Sequence, residues 1–288
     1  MDANQLEAGT VVSLKVEREA PYGYFLTNGE EDVLLHESQM EEELELGDEV
    51  EVFLYQDKQY RLSATMTLPA VRQGVYGWAD VVEVKPRLGA FVDIGISKDI
   101  LVSLDDLPAI MELWPEPEDR LFVTLKTDKK GRLFAAPATE GVIEDMIVPA
   151  GEELYNKNIL GRVYRLLKVG SFLITEEGYR CFVHETEREQ EPRLGQLVEV
   201  RVIEVKEDGT LNASMLPRKQ DKMGNDAEAI LAYMETRNGA MPYWDKSYPE
   251  DIKERFGMSK AAFKRALGKL MKEDMVYQEE GWTYRKKE

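Results

Sequence analysis

A pattern of short motifs occurs three times in succession, and this repeat limits the possible folds more than any other feature of the sequence. Each copy opens with a glycine and a β-type run, continues with Gly-x-Phe, and then has a short apolar run ending in His or Ser. A Val-rich alternating run and a final run around a leucine complete the copy. The copies begin at Gly9, Gly77 and Gly161.

The spacing within the copies is nearly constant. From the central glycine to the His or Ser it is 13, 14 and 14 residues, for Gly23 to His36, Gly89 to Ser103 and Gly170 to His184. Each copy therefore holds five short strands separated by turn residues. Five such antiparallel strands favour a closed Greek-key barrel of the OB type, because closure removes exposed edges. We expect barrels over residues 1–67, 68–145 and 146–217.

The remaining segment has a different periodicity. Residues 217–225 are polar and rich in turn formers, which is typical of a linker. A helical period starts at Asp226, a second helix is predicted over Pro249–Phe256, and a third over Lys260–Met271 with Ser259 as N-cap. A hairpin over 276–285, turning at Glu280-Gly281, completes a winged helix over 224–288. The predicted fold class is mainly β with an α/β tail.

The net charge of −18 is unfavourable for a polyanion ligand, but it is unevenly distributed. Residues 1–66 have four basic and sixteen acidic residues, whereas residues 146–288 have 24 basic and 25 acidic residues. Phosphate neutralisation supplies most non-specific affinity for nucleic acid. If the chain binds a polyanion, we therefore expect the C-terminal half to do most of the binding.

The order of motifs in the first and third copies resembles the S1 RNA-binding domain. The second copy departs from it, with Ser103 in place of His and Asp119-Arg120 in place of Gly-Asp. Three S1-like repeats followed by a helical tail resemble the conserved virulence factor B family of bacterial RNA-binding regulators. The resemblance covers essentially the whole chain, and it implies RNA binding and regulation of gene expression at the RNA level.

In an S1-like barrel, aromatic rings on the outer face stack on bases while basic and polar groups follow the backbone. The first candidates are in the third barrel and on the third tail helix: Phe172, His184, Arg180, Arg165, Lys168, Arg201, Asn212, Lys260, Lys264, Arg265 and Lys269. Weaker candidates are in the other barrels: Tyr22, Phe25, His36, Arg61, Phe91 and Arg132. Core packing is the alternative for each Phe, and a solvated face is the alternative for the helix.

Catalytic and metal chemistry find little support in this sequence. Two His residues and one Cys are too few for a zinc site with four nitrogen and sulfur ligands, and no phosphate-binding glycine loop occurs. We expect no enzymatic activity, no cofactor and no metal. The single cysteine, Cys181, indicates a reducing cytoplasm. We predict that it is a small buried residue. No apolar stretch reaches the length of a membrane span.

Three hypotheses remain open. The first is a protein that binds single-stranded RNA through the third barrel and the winged helix. The second is a scaffold whose acidic first and second barrels dock a basic protein partner. The third is a regulator that binds duplex DNA through the winged helix.

Overall fold

The computed structural model describes residues 5–286, with the side chains of 219–224 excepted. The chain divides after Met215 into two compact units. The first unit contains three closed five-stranded barrels, and the second contains three helices and a small sheet. The predicted fold class is confirmed.

The first barrel consists of five short strands. They are β1 (Val11–Ala20), β2 (Gly23–Thr27), β3 (Asp32–His36), β4 (Glu49–Gln56) and β5 (Leu62–Thr65). Around the barrel the order is β1-β2-β3-β5-β4, and β4 pairs back with β1. The pair β3–β5 is parallel and the other pairs are antiparallel.

The second and third barrels repeat this strand order. The second consists of β6 (Gly77–Lys85), β7 (Gly89–Asp93), β8 (Ile100–Ser103), β9 (Arg120–Thr127) and β10 (Leu133–Pro137). A short helix, α1 (Glu140–Glu144), follows. The third consists of β11 (Asn158–Leu167), β12 (Gly170–Ile174), β13 (Arg180–His184), β14 (Leu197–Val205) and β15 (Leu211–Ser214).

The central glycine of each copy has a clear structural reason. At Gly89, φ is +132°, and a Cβ would lie 2.0 Å from the carbonyl oxygen of Val102. At Gly23, φ is +142°, and a Cβ would lie 2.1 Å from the oxygen of Leu35. Only glycine allows this backbone angle and this close approach of neighbouring strands. The Gly-x-Phe motif is thereby fixed at the start of the second strand of each barrel.

The barrels share apolar packing. The buried cluster beneath the second barrel includes Ala8, Phe53 and Tyr55 from the first barrel and Leu194 from the third. An ion pair also joins Arg193 of the third barrel to Asp119, whose side chain is 8% exposed. The three barrels are consequently packed against one another within a single unit.

The second unit has the predicted order of elements. It contains α2 (Lys219–Glu235), β16 (Ala240–Met241), α3 (Pro249–Phe256), α4 (Lys260–Lys272), β17 (Val276–Glu279) and β18 (Trp282–Arg285). The sheet order is β16-β18-β17. Pro249 begins α3 and Gly257 ends it in the left-handed region, as the motif predicts. Phe263, Leu267 and Leu270 of α4 are buried, which confirms its predicted core face.

One prediction about this unit was wrong. The segment 217–225 was expected to be a linker, but α2 already begins at Lys219. The residues before Gly224 readily form a helix, and a single glycine inside a helix costs only about 1 kcal/mol. The helix predicted from Asp226 therefore begins earlier in the chain. Within the described residues, no helix is long and apolar enough to cross a membrane.

Candidate nucleic-acid interface

The outer face of the third barrel displays a continuous row of rings. We call Tyr164, Phe172, Phe182 and His184 the aromatic row. The ring centroids of Phe172 and Phe182 are 4.8 Å apart, Tyr164 lies 6.2 Å from Phe172, and His184 lies 6.3 Å from Phe182. Phe172 of β12 and Phe182 of β13 are cross-strand partners, so the pairing of these strands places their rings together.

Phe172 is a surface residue and not part of the barrel core. Its neighbours in the strand, Ser171 and Leu173, are buried, whereas Phe172 is half-buried and lies outside the buried cluster. Alternation along β13 likewise points Cys181 and Val183 inward and Phe182 outward. Phe172 therefore lies on the outer face of the barrel, outside its buried core.

Two of the candidate residues, Arg165 and Arg180, flank the aromatic row and donate to the same carboxylate, that of Glu140. The guanidinium carbon of Arg180 lies 4.6 Å from the centroid of Phe172, which is a cation–π distance. Arg165 Nη1 donates to Glu140 Oε2 at 2.8 Å, and Arg180 Nη2 donates to Glu140 Oε1. The Glu140 carboxylate of α1 thus lies beside the rings and accepts hydrogen bonds from both arginines.

Tyr164 completes this network. Its hydroxyl accepts from Arg180 Nε at 2.9 Å and donates to Glu140 Oε1 at 3.2 Å. Burial raises the pKa of Tyr164 to about 12, with Glu140 adding to the shift and Arg180 opposing it. The hydroxyl therefore stays protonated and keeps donating at any physiological pH.

The histidines at the end of the third strand of the barrels cap a short 3-10 helix. His184 Nδ1 accepts from the backbone N–H of Thr186, and His36 Nδ1 accepts from the N–H of Ser38. In the second barrel the hydroxyl of Ser103 accepts from the N–H of Asp105 in the same way. Ser substitutes for His at this position because both supply a capping acceptor. In the neutral form the proton is then on Nε2 of each histidine.

The other candidates of the third barrel lie around the aromatic row. Asn212 on β15 pairs in register with Phe182, and its Nδ2 donates to Glu204 at 2.5 Å, while its Oδ1 is buried without a partner among the described residues. Lys168 is exposed in the turn after β11. Arg201 lies on β14, in register with Asn158 of β11 and Ser214 of β15. The structure brings together Phe172, His184, Arg180, Arg165 and Asn212.

The outward Phe recurs in the other barrels, each with a cation above it. Arg18 lies 3.6 Å from the centroid of Phe25, and Lys85 Nζ lies 4.8 Å from that of Phe91. No second aromatic ring extends the row across the next strand, because Leu34 and Leu101 stand in register where the third barrel has Phe182. On these two faces the register partner of the Phe is therefore aliphatic.

The remaining weaker candidates have intramolecular partners. Arg61 pairs with Asp57 at 2.7 Å, and Arg132 pairs with Asp128 at the same distance in the corresponding turn. The ring of Tyr22, which is 66% exposed, stacks on His36 with centroids 6.3 Å apart.

In the second unit, α4 presents a basic face to solvent. Lys264 and Arg265 are exposed, and Lys260 and Lys269 are half-buried beside the apolar face. The hairpin adds a surface that sequence reasoning missed. Tyr277 stacks on Tyr284 at 5.3 Å, Tyr284 stacks on Trp282 at 6.4 Å, and Trp282 is 42% exposed.

Sequence analysis also missed three residues of the candidate site on the third barrel. Phe182 stands two residues before His184 in an alternating strand, a signal that places both on one face. Tyr164 lies where the register of β11 shifts between Val163 and Arg165, and the sequence does not reveal this β-bulge. Glu140 is 25 and 40 residues away in sequence from its partners Arg165 and Arg180, so only the fold brings it to the site. Among the described residues, no group of three or more His, Cys, Asp or Glu side chains could hold a metal ion.

Comparison with known proteins agrees with this architecture. An S1 domain model matches residues 8–67, a model described as the CvfB first S1-like domain matches 76–136, the second domain of virulence regulatory factor CvfB matches 143–217, and a CvfB-like winged helix domain matches 228–284. S1-like barrels followed by a winged helix define a protein of the nucleic-acid-binding class.

Relatives identify the family within this class. The chain is 54% identical over 284 residues to the uncharacterized protein YitL of Bacillus subtilis (strain 168), covering 99% of this chain and 95% of that protein. It is 42% identical over 257 residues to conserved virulence factor B of Staphylococcus aureus (strain N315), covering 88% of this chain and 85% of that protein. The chain belongs to the conserved virulence factor B family.

A solved structure has the same overall organisation. A multidomain protein with nucleic acid binding domains from Streptococcus pneumoniae TIGR4 superposes with a TM-score of 0.68 at 38% identity, covering 97% of this chain and 98% of that one.

Proposed function

We propose that this protein binds single-stranded RNA through the aromatic row of the third barrel and the basic face of α4, and regulates gene expression at the RNA level. The observation that carries the proposal is the row itself, with adjacent rings 4.8 to 6.3 Å apart and Arg180 against one of them. Ring stacking on bases is worth about 1–3 kcal/mol per base and tolerates any sequence.

A single strand suits this surface better than a duplex. The bases of a single strand are free to stack on protein rings, whereas a duplex presents mainly its phosphates and groove edges. On this proposal the residues that stack are Phe172, Phe182 and His184, while Arg165, Arg180 and Lys168 neutralise phosphates. Lys260, Lys264, Arg265 and Lys269 provide a second electrostatic contact. The first two barrels serve as scaffold.

Competition among nucleic acids tests the proposal on the full chain. We expect a labelled single-stranded RNA to be displaced by unlabelled single-stranded RNA at a concentration at least about tenfold lower than that of duplex DNA of the same length. Preferential displacement by duplex DNA would instead favour regulation through the winged helix. We also propose that the protein acts without catalysis in the cytoplasm, so the RNA should be recovered intact with and without Mg²⁺.

The acidic first barrel supports a second, compatible role. Glu41, Glu42, Glu43 and Glu45 are all exposed directly after the capped turn at His36. A dense negative surface repels phosphate and attracts basic proteins. We propose that barrels one and two dock a basic protein partner, and capture of such a partner by the full chain but not by a variant with these four residues changed to Gln tests this role.

A further inference from the structure

A pocket of about 250 Å³ lies between the second and third barrels. One wall is formed by Trp78 of β6 and Arg120 of β9. The other wall is formed by Leu160 and Arg162 of β11 and Leu197 of β14. These are the first and fourth strands of their barrels. None of the four rings of the aromatic row lines this pocket, so it is a separate site.

Direct contacts between the two barrels hold the walls in place. The backbone N–H of Arg120 donates to the carbonyl oxygen of Gly195 at 3.2 Å, and Arg162 Nη1 donates to the same oxygen at 2.9 Å. Arg193 of the third barrel pairs with Asp119 of the second at 3.2 Å. The pocket is therefore already formed by the packing of the barrels.

Arg162 is a half-buried cation without an ion pair. The nearby carboxylates of Asp80 and Asp119 are each paired with another arginine. Among the described residues, Arg162 forms no ion pair, and its bond to Gly195 uses one of five N–H donors. Burial lowers the pKa of Arg162, and the neighbouring Arg120 lowers it further, while the two carboxylates oppose the shift. An anionic ligand would supply the counter-ion that this guanidinium lacks.

Apolar side chains surround this cation. Leu160 and Leu197 are 57% and 48% exposed, so neither contributes to the core of its barrel. Leu197 is the register partner of Arg162. The guanidinium carbon of Arg162 also lies 5.7 Å from the ring centroid of Trp78. Apolar surface around one unpaired cation suits a ligand that has an anionic group at one end and an apolar group at the other.

The size and charge of the pocket narrow the ligand further. Its volume of about 250 Å³ is below the roughly 300–1,000 Å³ of sites for drug-sized ligands, which indicates a ligand the size of one amino-acid residue. The planar fork of a guanidinium matches a carboxylate in two parallel hydrogen bonds. Glu176, which also lines the pocket, repels a second negative charge. A singly charged carboxylate therefore fits better than a phosphate monoester.

We infer that this pocket binds a small organic carboxylate, with the carboxylate on Arg162 and an apolar group against Leu160 and Leu197. The ligand is either a free acid or the C-terminal residue of a peptide, because both present a carboxylate next to an apolar group. This inference does not rest on the RNA binding proposed for the aromatic row.

Titration of the full-length protein with N-acetyl-L-leucine tests the inference. The chain has four tryptophans, so the indole N–H signals can be followed one by one by NMR, and Trp78→Phe assigns the signal from the pocket. We expect a saturable shift of the Trp78 signal. N-acetyl-L-leucinamide, which lacks the charge, and acetate, which lacks the apolar group, should each bind at least about tenfold more weakly. Equal binding of the acid and its amide, or no saturable shift at millimolar concentration, would overturn the inference.

A pair of arginine variants tests the role assigned to Arg162. Arg162→Gln should weaken the binding of N-acetyl-L-leucine by about tenfold or more, because a charge-assisted hydrogen bond is lost. Arg87→Gln removes the same charge at an exposed position in the turn between β6 and β7, and should change the affinity less than about twofold. Equal losses in the two variants would mean that only net charge matters, and the assignment would fail.

A second pair of variants separates binding from folding. Leu197→Trp fills the pocket without removing a charge or the hydrogen bond to Gly195. Leu88→Trp makes the same change at a leucine of the second barrel that is also 48% exposed. Neither side chain is buried, so both variants should keep the melting temperature of the parent. Only Leu197→Trp should abolish binding of the acid; unchanged binding in this variant contradicts the placement.

Two further arms distinguish the source of the ligand and the two proposals. If the pocket takes a free acid, 4-methylpentanoate should bind at least as tightly as N-acetyl-L-leucine; if it takes a peptide end, Gly-Gly-Leu should bind more tightly than either. Phe182→Ala should weaken RNA binding and leave binding of N-acetyl-L-leucine intact. Loss of that binding in Phe182→Ala would assign the acid to the aromatic row and refute this inference while the proposed function stood.

Discussion

At the scale of single residues, Glu140 limits the positive charge that the third barrel would offer to RNA in the proposed function. Its carboxylate accepts from Arg165 and Arg180, whose side chains are 44% and 22% exposed. A carboxylate in the position of a phosphate competes with the ligand for both cations. The free protein therefore presents its stacking rings beside arginines that are already paired.

Glu140→Gln should strengthen RNA binding at low salt. Because two cations are released, the slope of log K against log salt should steepen by up to about 1.4, since each phosphate contact on a single strand contributes about 0.7. Affinity measured between 50 and 300 mM salt gives this slope. Glu144→Gln, the same charge change at an exposed position of α1, is the control; equal effects in both variants would mean that only net charge matters.

Cys181 provides a test of the barrel interior. Its side chain is fully buried, and burial raises the pKa of its thiol to about 12. At pH 8 roughly one thiol in 10,000 is then ionised, so we expect no reaction with a thiol reagent in the native protein and complete reaction after unfolding. Rapid labelling of the native protein would show that the interior of the barrel is open.

The same shift predicts a loss of stability in alkali. The thiol ionises near its ordinary value of 9.0 in the unfolded chain but near 12 in the folded one. The contribution to the free energy of unfolding is therefore full below about pH 9 and falls as the pH rises toward 12. A Cys181→Ala variant should lack this component of the alkaline decline.

At the scale of elements, the tail helix α4 has one face in the core and one face of cations. Neutralising both Lys264 and Arg265 with Gln should flatten the salt slope of RNA binding by about 1.4, because two phosphate contacts are lost. Lys129 and Lys130, exposed in a turn of the second barrel, make a matched control with the same loss of charge. A slope that is unchanged by the α4 variant would show that this face is only solvated.

Element boundaries were predictable where local chemistry sets them. Pro249, Gly257 and Ser259 fix the ends of α3 and the start of α4, and the structure confirms all three. The start of α2 was not predictable, because the polar residues before Asp226 suit either a helix or a linker. Likewise, the bulge at Tyr164 depends on strand pairing and leaves no local signal.

At the scale of the whole molecule, the repeat predicted three barrels but not their shared packing. Ala8, Phe53 and Tyr55 of the first barrel lie in the buried cluster of the second. Apolar residues in a repeat indicate that they are buried, but not against which barrel. Removing residues 1–66 would expose that cluster, so the role of the first barrel is better tested by substitutions than by truncation.

The residues of the candidate site were likewise only partly predictable from the sequence. The Gly-x-Phe motif and the capping His identified Phe172 and His184, because these residues recur at fixed spacing. Glu140 and the aromatic surface of the hairpin were missed, because neither repeats and neither belongs to a motif. Our proposal that the aromatic row stacks on RNA bases rests on residues that the fold brings together.

The most direct test of this claim compares three alanine variants of the full chain. Phe172→Ala and Phe182→Ala should each weaken binding of single-stranded RNA by about 1–3 kcal/mol while the melting temperature stays near that of the parent, because both rings lie outside the core. Phe91→Ala removes the corresponding ring of the second barrel, with Lys85 above it, and should leave the affinity nearly unchanged. Equal affinities in all three variants, or an affinity loss that merely follows a fall in melting temperature, would contradict the account.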